Sequence, residues 1–353
     1  MPGMPELLRY VKDHRGSDLH LVTALEPRIR LNGSLEPVPG WPVLDRERVQ
    51  ELLREVVSDA QWEEFQRLHD FDFAYGIEGV GRFRVNYLYQ QNGPGGVFRL
   101  IPETITTLEE LNLPKSIAGL SHVRSGLILI TGPTGCGKST TLAAIIDRIN
   151  STYSKHVVTI EDPIEFVHRN RRCRISQREV GSDTESFGSA LRAALRQDAD
   201  VILVGEMRDL ATTSMALSAA EMGAVVFGTL HTNGAANTID RLIDAFPAEE
   251  QAQTRTTLAE SLAAVVSQQL LRSADGRGRC AVAEVLLKTA ALPNIIREGN
   301  TPMLQTIMQG GRAMGMQLMD DALAAMVEAK RVIPRDAYLK ANDKARFENL
   351  IDD

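Results

Sequence analysis

Read from its amino end, the chain sets apolar residues at helical spacing, then at alternating spacing, then in solid runs. Leu7, Leu8 and Val11 share one face of residues 5–14, and Gly16 follows as a stop, so a short helix is expected there. Residues 18–22 read as a strand. Residues 28–31 and 34–38 flank Asn32-Gly33, a pair that supplies the two positive-φ positions of a tight turn, and so predict a hairpin. Helical segments are expected at about 45–57 and 59–69, then strands at 71–75, 82–90 and 97–101. The first hundred residues thus read as an α+β module with an antiparallel sheet.

The pattern changes after residue 114. Apolar strand-type runs at 127–131, 156–160, 201–205 and 225–230 alternate with helix-type segments at 138–150, 186–196 and 209–222. That alternation predicts a mostly parallel sheet covered on both faces, with ligand chemistry at the carboxyl ends of its strands. Residues 248–271 read as one long amphipathic helical region. A short strand at 280–286 and helices near 290–298, 303–309 and 317–330 complete the tail. Met314, Met316, Met319 and Met326 are most simply packing residues. Between the two patterns, residues 102–114 turn to Thr, Glu and Pro with little periodicity. The expected organisation is therefore an amino-terminal domain over 1–101, a linker over 102–114, and a second domain over 115–353 whose helical part begins near 287.

Composition narrows the function classes. The 353 residues are 43% hydrophobic and carry a formal net charge of −7, so no global basic field for nucleic acid is present. Cys136, Cys173 and Cys280 stand far apart and form no C-x-x-C pair, which argues against a zinc ribbon or a disulfide scaffold and fits a reducing compartment. No apolar run reaches the ~18 residues of a membrane span. Charges throughout residues 1–15 leave no signal-peptide core. A cytoplasmic protein is expected, at a membrane only through partners.

Candidate chemistry centres on residues 126–140. The run Gly126-Leu127-Ile128-Leu129-Ile130-Thr131 enters Gly132-Pro133-Thr134-Gly135-Cys136-Gly137-Lys138-Ser139-Thr140, and a helix-type segment follows. Gly132, Gly137, Lys138 and Ser139 fill G-x-x-x-x-G-K-[ST]. The glycines allow backbone N–H groups to converge on phosphate oxygens, and the helix N-terminus adds its positive dipole end. Lys138 would reach the β- and γ-phosphates of ATP, and the Ser139 hydroxyl would ligate Mg²⁺. A random chain of this length matches such a pattern only about once in a hundred.

Three polar clusters follow the other strands. Glu161, Asp162 and Glu165 lie within five residues after the second strand; they hold Mg²⁺ or orient the attacking water, or else form an acidic turn capping a helix. Glu206 ends the buried run Val201-Ile202-Leu203-Val204-Gly205, where an acid would face Mg²⁺ or its water. His231 follows the fourth strand, as a γ-phosphate sensor or a structural histidine. In the amino-terminal module, Arg82, Arg84 and Asn86 share one strand face; the face is either solvated or supplies an arginine finger to a neighbouring subunit, worth ~10³–10⁵ in rate. Asp18 and His20 are more simply a satisfied pair than a metal site.

Taken together, the series Ser17-Asp18-Leu19-His20-Leu21, Arg82-Phe83-Arg84-Val85-Asn86, the phosphate loop, Thr159-Ile160-Glu161-Asp162-Pro163-Ile164-Glu165-Phe166, Gln177-Arg178-Glu179-Val180, Val204-Gly205-Glu206-Met207-Arg208-Asp209, Gly228-Thr229-Leu230-His231-Thr232, Ile239-Asp240-Arg241 and Gly315-Met316-Gln317 resembles the type IV pilus retraction ATPases, the PilT family of the secretion and pilus ATPase superfamily. The resemblance runs over nearly the whole chain. It implies an α/β protein: a PAS-like α+β domain followed by a RecA-like P-loop ATPase domain with a helical carboxyl-terminal region. It implies a homohexamer that hydrolyses ATP with Mg²⁺ and drives pilus disassembly and twitching motility. Glu165 would orient water, Glu206 would support the metal partly through water, His231 would couple subunits, and Arg82 and Arg84 would be finger candidates. Partners would be an inner-membrane platform protein and a paralogous retraction ATPase, with no nucleic acid.

The four-cysteine metal element and longer amino-terminal region of the assembly and secretion relatives have no counterpart in this sequence, which favours retraction. A traffic ATPase of another secretion system and a weakly hydrolysing accessory subunit are the alternatives. Two positions depart from the family pattern. Ala224 stands where a second histidine is usual, seven residues before His231, and Pro293 replaces the first arginine of an A-I-R-N-L-I-R-E motif.

Overall fold

The computed structural model describes residues 3–31, 34–101, 104–276 and 278–348. Contacts divide the chain into two compact units, Met1–Thr104 and Ile105–Asp353.

In the first unit the elements run α1 (Met4–Asp13), β1 (Asp18–Val22), β2 (Arg28–Leu31), β3 (Ser34–Pro37), α2 (Arg46–Arg54), α3 (Asp59–Leu68), β4 (Asp70–Ile77), β5 (Gly81–Gln90) and β6 (Gly93–Ile101). The strands form one antiparallel sheet in the order β3-β2-β1-β6-β5-β4. Leu7, Leu8 and Val11 of α1 pack with Leu19, Leu21, Phe83, Val85, Tyr87 and Phe98 of the sheet. Strands β2 and β3 pair as expected, while the Asn32-Gly33 turn between them lies outside the described residues. Strand β6 starts four residues before its predicted start. Its opening Gly93-Pro94-Gly95-Gly96 carries no strand signal, yet a Cβ at Gly96 would stand 2.8 Å from Leu53 and 3.1 Å from Tyr87. Glycine is what lets this central strand pass beneath α2.

The second unit continues with α4 (Lys115–Gly119), β7 (Gly126–Thr131), α5 (Lys138–Thr152), β8 (His156–Glu161), β9 (Arg174–Glu179), α6 (Phe187–Ala194), β10 (Val201–Val204), α7 (Leu210–Glu221), β11 (Val225–Leu230), α8 (Ala235–Asp244), α9 (Ala248–Ser261), β12 (Leu262–Arg272) and β13 (Arg279–Leu287). Among the described residues, five α-helices follow β13: α10 (Leu292–Glu298), α11 (Leu304–Gly310), α12 (Met319–Glu328), α13 (Pro334–Lys340) and α14 (Ala345–Glu348).

Seven strands lie in the order β13-β12-β7-β11-β10-β8-β9, all parallel except β13. Leu127 and Leu129 of β7 face a core built by α6 to α11, and Ile128 and Ile130 face α4 and α5. Both faces are buried, which is why these strands read as solid apolar runs rather than alternating ones. A third cluster joins Met319 and Leu323 of α12, Ala337 of α13 and Phe347 of α14 to Leu271 and Val282 on the β12–β13 pair. Among the described residues, no helix is long and apolar enough to cross a membrane.

The expectation for 248–271 is corrected here. Helix α9 ends at Ser261, and the chain passes directly into β12, an interior strand between β7 and β13. No Gly or Pro marks the junction. A strand buried on both faces presents the same apolar run as a buried helix, so periodicity does not separate them. The junction is nonetheless written in the partner strand. Gly126 has φ +115°, and a Cβ there would lie 2.5 Å from the carbonyl oxygen of Ser261.

Candidate active site

Phosphate loop, acidic clusters and His231 all follow parallel strands, so they share the carboxyl edge of one sheet. They occur there in the spatial order β7, β11, β10, β8. At about 4.8 Å per strand, β8 ends roughly 14 Å from β7.

The loop after β7 adopts positive φ at Gly132 (+138°), Gly135 (+78°) and Gly137 (+92°), a region that side chains other than glycine rarely enter. A Cβ at Gly132 would stand 2.2 Å from the carbonyl oxygen of Gln268, whereas a Cβ at Gly135 would meet nothing within 4 Å. The loop is therefore pressed against β12 at its entry and open at its crown, where Thr134 and Gly135 are exposed. Pro133 lies between these points, Cys136 follows the crown and is buried, and Ser139 and Thr140 in the first turn of α5 are half-buried. The Lys138 ammonium folds back across the loop and donates to the carbonyl oxygens of Gly132 (2.8 Å) and Pro133 (3.2 Å). Burial pushes the Cys136 thiol up, against the nearby charge of Lys138. It is a neutral packing group.

Glu206 and His231 meet. His231 Nε2 lies 3.0 Å from Glu206 Oε1, and the Arg208 guanidinium lies 2.8 Å from Oε2 and 3.7 Å from Asp162. Burial works to raise the Glu206 carboxyl. The hydrogen bond and charge of Arg208, with His231, outweigh it and hold the group below its ordinary value. The strands set this meeting through their backbone: Gly205 N–H donates to Ile160 O, and Met207 N–H to Thr229 O.

The acidic segment after β8 is pinned from β9. Gln177 on that strand donates from Nε2 to Glu161 Oε1 (3.1 Å) and to Phe166 O (2.9 Å), and accepts from His168 N–H (2.7 Å). Glu179, two residues on, accepts from Ile164 N–H at 2.9 Å. Glu161 is half-buried, and burial raises its carboxyl; Thr159, Gln177 and the Glu165 backbone N–H pull it back, while the charge of Glu165 adds to the rise. Glu165 itself is exposed. His168 is pushed down to about 4 by burial and is neutral at physiological pH.

Arg82 and Arg84 belong to the other unit. Arg82 is half-buried on β5, and Arg84 is exposed, opposite Arg99 of β6. Asp18 accepts from Arg99 at 2.8 Å and from Ser17 at 2.7 Å. That carboxylate is satisfied without a metal, and no group of three or more His, Cys, Asp or Glu fit to hold a metal occurs among the described residues.

Of the two departures, Ala224 precedes β11 at the amino edge of the sheet, where it lines a cavity of about 280 Å³ with Arg124, Lys155, Asp198 and Asp200. His231 is at the opposite end of that strand. Pro293 falls in the first turn of α10, where its missing N–H leaves no helix bond unmade.

Residues to which the sequence assigns no role complete the site. Gln268, Gln177, Glu179 and Arg208 are its supports. Three of them, Gln268 on β12 and Gln177 and Glu179 on β9, sit on strands without a clear strand signal, so their position at the site was hidden.

Comparison with known proteins gives one family and two kinds of relative. The family model described as "Type II/IV secretion system protein" matches residues 69–338. The chain is 47% identical to the type IV pilus retractation ATPase PilT of Pseudomonas aeruginosa, over 97% of this chain and 98% of that one. It is 46% identical to the twitching motility protein of Neisseria gonorrhoeae, over 90% of this chain and 84% of the relative. Its structure matches the crystal structure of the pilus retraction motor PilT with bound ADP at a TM-score of 0.93 and 40% identity, covering 99% of this chain and all of the other.

Proposed function

Because the chain belongs to the type II/IV secretion system protein family, and within it to the pilus retraction ATPases, we propose that it hydrolyses ATP to power retraction of a type IV pilus. The observation that carries this reading is the single carboxyl edge on which the glycine loop, the Glu206–His231 pair and the Glu161–Glu165 segment stand on near-neighbour strands.

The residues fit a nucleotide triphosphate. The crown at Gly135 is open, the loop backbone is turned by three positive-φ glycines, and the Lys138 ammonium waits at the mouth on two carbonyls that phosphate oxygens would replace. They also fit Mg²⁺ brought on the phosphates, which asks of the protein one or two oxygens rather than a full cage. Ser139 would give a hydroxyl, and Glu206 would act partly through water, since both its oxygens are engaged. Bound there, the ion would neutralise charge that builds on the phosphates.

The chain's own groups do the rest. Backbone N–H groups of the loop beyond Pro133 hold the phosphates, and Lys138 adds a cation to the β- and γ-positions. Glu165 orients the attacking water. His231, hydrogen-bonded to Glu206, registers the terminal phosphate. Arg82 or Arg84 supplies a finger from an adjoining protomer, which makes the working unit a ring; six copies are proposed. The ring acts in the cytoplasm against an inner-membrane platform protein, alongside a paralogous motor where one exists.

A deletion strain tests the reading. Surplus surface pili without movement support retraction; bald cells would place the protein in assembly instead.

A further inference from the structure

Gln268 projects from β12 into the underside of the phosphate loop and is buried. Its Nε2 donates to the Cys136 carbonyl at 2.7 Å, and its Oε1 accepts from the Thr141 hydroxyl of α5 at 2.8 Å. The orientation of the carboxamide is fixed by chemistry. A carbonyl only accepts, so the amide nitrogen must face Cys136, and the Thr141 hydroxyl can donate to the oxygen that remains.

The bond has a consequence across the peptide plane. In a trans peptide the C=O and the following N–H point in opposite directions. Holding the Cys136 oxygen against β12 therefore turns the Gly137 N–H outward, to the side where phosphate oxygens would lie. The Cys136 N–H bonds Pro133 O at 3.2 Å, which holds the preceding peptide, and Gln268 holds the carbonyl of this one. Gly137 on one side of it has φ +92°, and Gly135, one residue before it, has φ +78°, both able to reach mirror conformations. A Cβ at Gly137 would sit 2.9 Å from Gln268 Nε2, so the carboxamide and the loop are in close contact along this peptide.

We propose that Gln268 is a positioning residue for nucleotide binding: it locks the Cys136–Gly137 peptide in the orientation that presents the Gly137 N–H to phosphate. The proposal rests on the ATPase reading. It adds a determinant on a strand remote in sequence from the phosphate loop.

The test uses full-length protein and ADP as the probe. Gln268→Met keeps length and removes the donor. ADP affinity should fall about tenfold or more, one lost charge-assisted hydrogen bond being worth about that factor. Hydrogen exchange of the 132–142 peptide should show ADP protecting about one amide fewer than in the unaltered chain, a signature that a merely packing role would not produce. Thr141→Val loosens the carboxamide but leaves its donor on Cys136, and should weaken binding only two- to threefold; Thr141→Ser should restore it. This second series carries the test if Gln268→Met folds poorly. ADP affinity within twofold of the unaltered chain, or full protection of that peptide in Gln268→Met, overturns the proposal. An unaltered chain that binds no ADP overturns the ATPase reading instead.

Discussion

His231 Nε2 and Glu206 Oε1 lie 3.0 Å apart, joining the end of β11 to the end of β10. Arg208 takes the other Glu206 oxygen. The carboxylate is thus held between two partners, one of which faces where the terminal phosphate is proposed to lie. His231→Ala leaves Glu206 with Arg208 alone. ATP turnover should fall at least about tenfold, and ADP affinity should stay within about twofold. Steady-state rates and calorimetric binding measure both.

His168 gives a pH prediction with a definite sign. Its folded value is about 4 against an ordinary 6.5, because burial disfavours the imidazolium. The unfolded chain binds that proton more readily, so its contribution to stability is complete above 6.5 and is lost as pH falls toward 4. The ceiling is about 3 kcal/mol. His168→Leu should flatten the melting temperature between pH 6.5 and 4, relative to the unaltered chain.

Asn150 at the end of α5 is fully buried and organises the loop before β9. Its side chain donates to Arg169 O and accepts from the N–H groups of Arg171 and Cys173. Asn150→Ala leaves those three backbone groups without this partner and should cost about 2–4 kcal/mol, read from denaturant midpoints.

Gly132 combines φ +138° with a Cβ position 2.2 Å from the Gln268 carbonyl oxygen. Neither atom is on a flexible side chain. Gly132→Ala should lose about 3–5 kcal/mol and all measurable ADP binding. Retained binding would show that the loop entry can shift away from β12.

How much of this was readable from residue order follows from where each signal lies. The phosphate loop is legible because its glycines, lysine and serine are contiguous and its strand and helix flank them. Strands β7, β8, β10 and β11 are legible because both faces are buried and helices separate them. Strand β12 was hidden, since it follows α9 without a break and its apolar run has no helix-specific or strand-specific spacing. Strand β9 was hidden for the opposite reason. Arg174-Ile175-Ser176-Gln177-Arg178-Glu179 has a single apolar residue, and the segment is a strand because its backbone pairs with β8 while Gln177 and Glu179 bond the acidic loop. Three of the site's four supports, Gln268, Gln177 and Glu179, come from these two strands. Contacts between residues more than a hundred positions apart, such as Gln268 with Cys136, leave no local trace.

The most direct test of the account is ATP turnover by the purified assembly with Mg²⁺, beside Lys138→Ala. The account predicts steady hydrolysis by the unaltered chain and a loss of at least about a hundredfold in the variant, with its fold intact by circular dichroism. An unaltered chain that neither binds nor cleaves ATP, or a variant that cleaves it at the full rate, would contradict the claim that this loop is the seat of the motor's chemistry.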